Sequence, residues 1–582
     1  MDITEGKQEY VRIVLNNMGK FQCEWNIHPW RKEFGKVYHA KATDKLVIRL
    51  IGWNGSLQTD RNHAYFLDIM ADKNEGSMVL PDILVFKVIR AEIGVGLDKD
   101  FFPFLQTDDM KMEWRREQLM EPSENWKPLN FIDRQKWQAF SATYTYYGKS
   151  SRPHSSQRTV HDIDSSIFEE SVTSEVFYSV NQSHNHFLHE EKKHTFTIIM
   201  LTWEFPPAVI GGLGKHVWEL SKRLAHAGHQ VLVVTPHTLG APPKEMVEGV
   251  EVYRAKEVAS DYDDFHLYVA QTNMNLVEQV RILSSRYRLD LIHAHDWLVG
   301  IATRALKENM SLPVISTIHA LENGRSNLEH PIQQRTDILE ELLIRDSDVL
   351  IVCSAYMKKE VEKKIHDNHA IHIIPNGAQL SSEKSKSILD FIGRRSFSHL
   401  VLFMGRFVPE KGITTLIDAA RTTLKSDPEC LFVIAGKGPW LSDYKREISR
   451  LGLEKNILLI GFLNEVEKAT MLDLADLLVV PSLYEPFGIV VLEGMAAGKP
   501  VIAARTGGMT YIIDHKRTGL LFSPGNSAEL SEKITWLLTN PDECIKLGRN
   551  AMDEVKRKYN WEDVREQTEA VYKTTITTSS VQ

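Results

Sequence analysis

From Thr195 onward the chain alternates short, continuously apolar, β-branched runs with helical stretches, and few folds accommodate that rhythm. "TFTIIMLTW" reads as a strand, the loop "VIGGLGKH" follows, "VWELSKRLAHAGH" reads as a helix, and "QVLVVTP" is the next strand. The pattern continues through "LDLIHAH", "LPVISTIH", "SDVLIVCS" and "IHIIPNG". A second series runs through "HLVLFMGR", "CLFVIAGKG", "NILLIGF", "LLVVPS" and "KPVIAA". Strands with no polar face need cover on both sides, which a parallel sheet flanked by helices provides. The expectation is an α/β fold of two doubly wound, Rossmann-like halves, residues 195–385 and 386–575. Such sheets bind ligands at the carboxyl ends of their strands, so the cleft between the halves is the expected site.

The first 120 residues have a different texture. "DKLVIRLIGWNG", "HAYFLDIMAD" and "KVIRAEIGVGL" are partly alternating strands bounded by Asn, Gly or Asp, and predict a small β-rich domain, a sandwich or a barrel. Residues 121–194 include a Ser- and His-rich stretch, Gly148 to His194, with few aliphatics, and read as a polar, partly disordered linker.

Composition excludes several function classes. At 582 residues the chain has room for three or four domains of ~150 residues each. A net charge of −8 gives no basic footprint, which argues against a nucleic-acid partner. Cys23, Cys353, Cys430 and Cys544 lie far apart with no C-x-x-C, so neither a zinc site nor a disulfide framework is indicated. The first residues lack the pattern of a signal peptide. No apolar run approaches the ~18 residues of a membrane span. A cytoplasmic enzyme is expected, with oligomeric state left open.

Four stretches carry chemistry at strand ends. "AVIGGLGKHV" places Gly211, Gly212 and Gly214 between a strand and a helix, which suits either a tight structural turn or close approach to an anion at a helix start. It fits neither the P-loop nor the G-x-G-x-x-G frame. "LIHAHDWLVG" puts His295, Asp296 and Trp297 at a strand tip, as sugar-reading groups or as a helix cap with a packed ring. "FMGRFVPEKGI" offers Arg406 and Lys411 as solvated cations or as a diphosphate clamp. In "PSLYEPFGIVVLEGMAAGKPVIA", Glu485 and Glu493 flank a helix start at Phe487, Gly488 and Ile489. A carboxylate accepts two hydroxyl hydrogen bonds at once, so a diol reader on each side of an anion-binding helix start matches hexose, diphosphate and ribose in sequence.

These residues resemble a known family. "EPFGIVVLE" is similar to the E-x7-E motif of retaining glycosyltransferases with the GT-B fold. "WEFPPAVIGGLGKHVWELSKRLAHAGHQV" resembles the start of glycogen and starch synthases in glycosyltransferase families 4 and 5. "HAHDW", "STIHALENGR", "IIPNG", "GRFVPEKG" and "GGMTYII" occur in the matching order between about Thr195 and Lys573. The resemblance implies a retaining, metal-independent glucan synthase with no cofactor. It would pass α-glucose from ADP- or UDP-glucose to an α-1,4-glucan end. It implies catalytic roles for His295, Arg406, Lys411 and Glu485, with Glu485 on the donor hexose. Gly211, Gly212, Asn376, Phe487, Gly488 and Ile489 would bind the donor, and Glu493 the ribose. Two departures stand out: "PNGAQL" carries Ala-Gln, and "AGKGPW" carries Lys437, where relatives differ.

The head resembles a bacterial domain called DUF4912, and Trp25, Trp30 and Trp53 are either its core or a glycan-stacking face. Other readings are the same chemistry on a lipid, a small sugar or a cell-surface polymer, a UDP-sugar 2-epimerase, and an inactive glycan-binding protein.

Overall fold

The computed structural model describes residues 9–16, 20–38, 42–53, 64–71, 73–80, 83, 86–97, 100–107, 110–111 and 126–129 of the head. It then describes 196–579, apart from 209–210, 259–264, 366–368 and 394. The stretch expected to be a linker lies almost wholly outside the described residues. Two compact units are present. One comprises residues 1–141, 254–286 and 300–311, and the other 142–253, 287–299 and 312–582.

The first unit contains two antiparallel sheets. Tyr10–Leu15, Phe21–Asn26 and Glu75–Val79 form the smaller. Asp100–Gln106, Val88–Leu97, Ala42–Trp53, Ala64–Ala71 and Lys127–Leu129 form the larger in that order, with Met110–Lys111 on Val88–Leu97. Tyr10–Leu15 packs on the larger sheet, which is sandwich-like. Trp25 and Trp53 are buried, so they are core and not a stacking face. Trp30 is half-buried, with the guanidinium groups of Arg31 and Arg281 4.9 and 5.2 Å from its ring. Arg31 is itself buried and bridges Glu9 at 2.8 Å and Glu278 at 3.0 Å. Glu278 lies on helix Phe265–Ser284, which is buried around most of its circumference. That explains why residues 254–286 belong with the head.

The second unit contains two parallel sheets. In the first, Gln230–Thr235, Thr197–Leu201, Leu291–His295, Val314–Ile318, Val349–Val352 and Ala370–Ile373 run parallel. A hairpin of Lys244–Val247 and Val250–Arg254 extends one edge. The second sheet is Ile457–Ile460, Leu431–Ala435, Leu400–Met404, Leu477–Val480, Val501–Ala504 and Leu520–Phe522, all parallel. By chain position within the sheet its order is 3-2-1-4-5-6, the doubly wound order, whose reversal opens a crevice beyond the first and fourth strands. In the first sheet the same reversal falls between Thr197–Leu201 and Leu291–His295. The buried strands are almost wholly apolar, as cover on both faces requires.

The last helix, Trp561–Ser579, returns to the first half. Trp561, Val564, Val571 and Tyr572 join the core built on Ile198, Met200, Val217 and Leu220. The Tyr572 hydroxyl lies 2.7 Å from Nδ1 of His293. Trp561 fills the space that a side chain on Gly377 would need, since a Cβ there would come within 2.6 Å of its ring. The Ala378 N–H donates to the Tyr559 carbonyl at 2.9 Å, so outgoing and returning chain meet at one point.

Two outcomes are expected. Trp561→Ala should cost about 3–5 kcal/mol of stability, the range for emptying a buried aromatic site, read as a lowered urea midpoint. Arg31→Ala leaves Glu9 and Glu278 without their shared partner and should cost about 3 kcal/mol, read as an earlier transition in the same titration.

Candidate functional site

The first wall of the cleft begins just after strand Thr197–Leu201. Glu204 Oε2 accepts the Gly211 N–H at 3.1 Å, which shapes the glycine loop. Gly211 caps helix Gly212–His226 with no side-chain hydrogen bond. First-turn N–H groups of a helix have no intrahelical partner, so this end can meet an anion. Gly211, Gly212 and Leu213 line a cleft of about 310 Å³. A Cβ on Gly212 would come within 3.0 Å of Ile489 Cδ1 from the opposite half. That close approach explains a glycine where φ alone does not demand one.

At the tip of strand Leu291–His295 the sequence expectation and the structure part. His295 is fully buried and is not among the cleft-lining residues. As the last strand residue it points into the sheet, its Nε2 2.9 Å from Met200 Sδ and its Nδ1 3.2 Å from His319 Nε2. The groups that reach the cleft here are Asp296 and His319. Asp296 turns out of the strand with φ of +60°, a left-handed conformation that Asp tolerates better than most residues. Its Oδ1 accepts the His319 N–H at 2.7 Å. Burial still raises the Asp296 carboxyl to about 7.

Behind this tip stands a histidine cluster. His216 Nδ1 lies 2.6 Å from Asn376 Oδ1, which can only accept, so this nitrogen carries the proton. His216 Nε2 is buried without a hydrogen-bond partner. Burial holds His216 down at about 4 and His293 at about 3, and pushes His295 and His319 well below their ordinary value. All four are neutral near pH 7. Among the described residues, His216, His295 and His319 are the donors that could hold a metal ion, one nitrogen of each lying within 4.8 Å of the others.

The second wall is built from strand ends of the other sheet. Lys411 follows strand Leu400–Met404 on a 3-10 turn, Pro409–Lys411, that ends at Gly412. Gly412 has φ of +68°, and a Cβ there would come within 2.0 Å of the Pro481 carbonyl oxygen. Lys411 Nζ donates to Glu485 Oε2 at 2.8 Å, and Ser482 Oγ donates to the same oxygen at 3.3 Å. Arg406 donates to Glu410 Oε1 at 3.2 Å. Gly507 and Gly508 of "GGM" pass against the Glu485–Phe487 backbone, where a Cβ on Gly507 would come within 2.0 Å of the Glu485 carbonyl oxygen. The Gly508 N–H donates to that oxygen at 2.9 Å. Gly488, with φ of +112°, caps helix Ile489–Ala496 and again supplies no side-chain cap.

Glu493, four residues into that helix, is nearly fully buried yet charged. Burial opposes its ionisation, but Lys215 and Lys468 outweigh it and hold the carboxyl well below the usual range. Lys215 belongs to the first half, and Lys468 to helix Glu465–Leu474 of the second.

Gly211, Gly212, Asn376, Arg406, Lys411, Glu485, Phe487, Gly488, Ile489 and Glu493 all line the one cleft. Two further residues had no sequence signal, Tyr484 in the cleft lining and Ser354 outside it. Tyr484 OH donates to the Leu321 carbonyl and accepts the Leu321 N–H, both at 3.2 Å. Its ring occupies the space beside Gly324, where a Cβ would come within 2.1 Å. Ser354 Oγ donates to the Pro486 carbonyl at 2.8 Å, a second tie between the halves. Of the two sequence departures, Lys437 lines the cleft beside Phe462, at 5.2 Å from its ring. Gln379 instead accepts a hydrogen bond from Arg223 at 2.7 Å and serves packing.

Comparison with known proteins gives the family. Residues 210–382 match the model of Glycosyltransferase Family 4, and residues 387–554 match that of Glycosyl transferases group 1. A glycogen synthase of Mycobacterium tuberculosis is 32% identical over 397 residues, covering 64% of this chain and 94% of that protein. Sucrose-phosphate synthase from Thermosynechococcus elongatus superposes with a TM-score of 0.59 at 25% identity, covering 65% of this chain and 98% of that one. Anabaena HepE, solved with UDP-glucose, superposes with a TM-score of 0.54 at 21% identity, covering 65% and 100%. No described helix is long and apolar enough to cross a membrane. The chain therefore belongs to the group 1 and family 4 glycosyltransferases, enzymes of the GT-B fold.

Proposed function

We propose that this glycosyltransferase passes α-glucose, with retention, from ADP- or UDP-glucose to the non-reducing end of an α-1,4-glucan. The observation that carries the reading is one continuous cleft in which Glu485 and Lys411, the helix start at Ile489, and Glu493 follow one another. That order matches hexose, diphosphate and ribose. Glu485 holds hydroxyls of the donor glucose. Lys411, Arg406 and the N–H groups at Phe487 to Ile489 neutralise the departing diphosphate, with Gly211 and Gly212 approaching from the other wall. Preorganised cations and N–H groups aimed at developing charge do the work a metal does elsewhere. Asn376, fixed by His216, lines the cleft as a donor-binding group, and His295 acts from below by orienting His319.

Retention is what the likeness of "EPFGIVVLE" to the E-x7-E motif implies, and the engagement of the carboxylates bears on the route to it. A double-displacement route needs a free carboxylate at the anomeric carbon. Here Glu485 is held by Lys411, Glu410 by Arg406, Glu204 by the Gly211 N–H, and Glu465 and Glu493 by lysines. Asp296 also lines the cleft, but burial raises its carboxyl to about 7 and this reading gives it to the acceptor, so front-face transfer is the route we favour. The acceptor hydroxyl attacks on the side the diphosphate leaves, and the leaving phosphate oxygen takes its proton. Asp296 and His319 lie where the acceptor hydroxyl would be steadied. The 32% identity with a glycogen synthase supports a glucan acceptor. The likeness to sucrose-phosphate synthase keeps a small sugar acceptor as the second reading.

The deciding experiment is nucleoside diphosphate release from ADP-glucose and from UDP-glucose, each with and without glycogen. Release stimulated by glycogen is expected, and an excess of EDTA should leave it unchanged. Release indifferent to glycogen would overturn the glucan acceptor. Glu485→Ala should lower kcat/KM by about 10–100-fold, the scale of losing hydrogen bonds to a charged group, with an unchanged melting transition.

Asp296 gives a pH prediction. Its folded value of about 7 lies above the ordinary 3.8. If its ionised form holds the acceptor hydroxyl, kcat/KM rises as pH passes through about 7, and Asp296→Asn flattens that limb. The same shift makes its contribution to stability greatest below the unfolded value and lost as pH rises through about 7.

A further inference from the structure

Glu493 is not held by one partner but by two, on a single oxygen. Lys215 Nζ lies 2.5 Å and Lys468 Nζ 2.6 Å from Oε1. Glu465 balances both cations, its Oε2 3.1 Å from Lys215 and its Oε1 2.7 Å from Lys468. The Glu493 side chain is 2% exposed and both lysines 12%. All four residues line the cleft. Three helices supply them: Gly212–His226 from the first half, and Glu465–Leu474 and Ile489–Ala496 from the second.

A lone carboxylate at this depth would take a proton or swing toward solvent. Two ammonium groups on one oxygen prevent both. Oε1 is occupied, so a ligand's hydroxyls must address Oε2. An ammonium has three donors, and each lysine spends one on Glu493 and one on Glu465, leaving a third for an oxygen of the same ligand. A vicinal diol supplies both kinds of group: an O–H that donates to Oε2 and oxygens that accept from an ammonium.

We propose that Lys215 and Lys468 are positioning residues for the donor ribose, pinning Glu493 through Oε1 so that Oε2 and the spare ammonium protons read the 2′,3′-diol. The inference rests on the reading that Glu493 faces the ribose. It adds that the subsite is built from both halves. Lys215 stands three residues beyond Gly212, on the helix whose start approaches the donor diphosphate in that reading. Ribose recognition and approach of the first half to the second are therefore one event.

The test compares binding of ADP with 2′-deoxy-ADP, and of UDP with 2′-deoxy-UDP, to full-length protein by calorimetry. Wild type, Lys215→Met, Lys468→Met and Lys468→Arg are measured, each after a melting scan. Wild type should prefer the ribonucleotide. Each methionine variant should lose about tenfold of that preference, as expected for a hydrogen bond involving a charged group. In turnover, KM for the donor rises more than kcat falls. Lys468→Arg keeps the charge and should retain most of the preference, which also serves as the folded reference. Equal loss of affinity for ribo- and deoxyribonucleotides would overturn the inference and make the lysines phosphate ligands or packing groups. A wild type indifferent to the 2′-hydroxyl would overturn it differently, by removing Glu493 from the ribose.

Discussion

The cleft depends on a constraint of parallel sheets: every strand in a sheet ends on the same side. Each buried strand delivers its next loop to that edge, and reversal of strand order parts the loops into a crevice. This puts Asp296, Asn376, Lys411, Glu485 and the helix start at Ile489 in one place although they span about 200 positions of sequence. Nothing in the loops themselves need be stiff for this to work. Where a loop must pass close to another backbone, a glycine stands there: Gly412 beneath Pro481 and Gly507 beneath Glu485. The glycines of two sequence motifs, "EKG" and "GGM", thus act on the placement of Pro481 to Phe487.

The two walls handle charge differently. On the first half, burial keeps the histidine cluster neutral and raises the Asp296 carboxyl to about 7, while Lys215 keeps its charge by pairing with Glu493 across the cleft. On the second half, charge is kept and paired, Lys411 with Glu485 and Lys468 with Glu493. A neutral wall suits a polyhydroxy acceptor, which brings no charge to balance. A wall of paired ions suits a nucleotide sugar, because an arriving diphosphate exchanges one partner for another. Cations already held in the cleft then cost little reorganisation when charge develops on the leaving group.

Much of this was legible in the sequence, for a physical reason. Continuous apolar runs fix a parallel sheet, and a parallel sheet fixes which residues sit at the strand-end edge, so Arg406, Lys411, Glu485 and Glu493 stood out as candidates there, while their roles came from the family resemblance. His295 itself stands one residue behind the cleft wall. Strand residues alternate faces, and the turn outward is made by Asp296 in a left-handed conformation that no pattern announces. Lys215 and Lys468 carried no signal because their meaning is tertiary: each is an ordinary helix lysine until Glu493 is brought beside it. Tyr484 and Ser354 likewise act only by reaching the opposite half. In the head, the tryptophans fit strand positions that alternate into a core, which is what Trp25 and Trp53 do.

The ties between the halves suggest how the enzyme avoids wasting its donor. Ser354 with Pro486, Tyr484 with Leu321 and Lys215 with Glu493 all join the first half to the short segment from Tyr484 to Glu493. That segment also carries the residues that would read the donor. Opening the cleft would strain the donor-reading segment itself, and assembling that segment would favour the closed cleft. Closure excludes water from the activated sugar, and water is the acceptor a transferase must refuse. The last helix permits such movement without separation, since Trp561 anchors the returning chain in the first half at Gly377. Donor reading, exclusion of water and interdomain contact are thus three consequences of one stretch of ten residues.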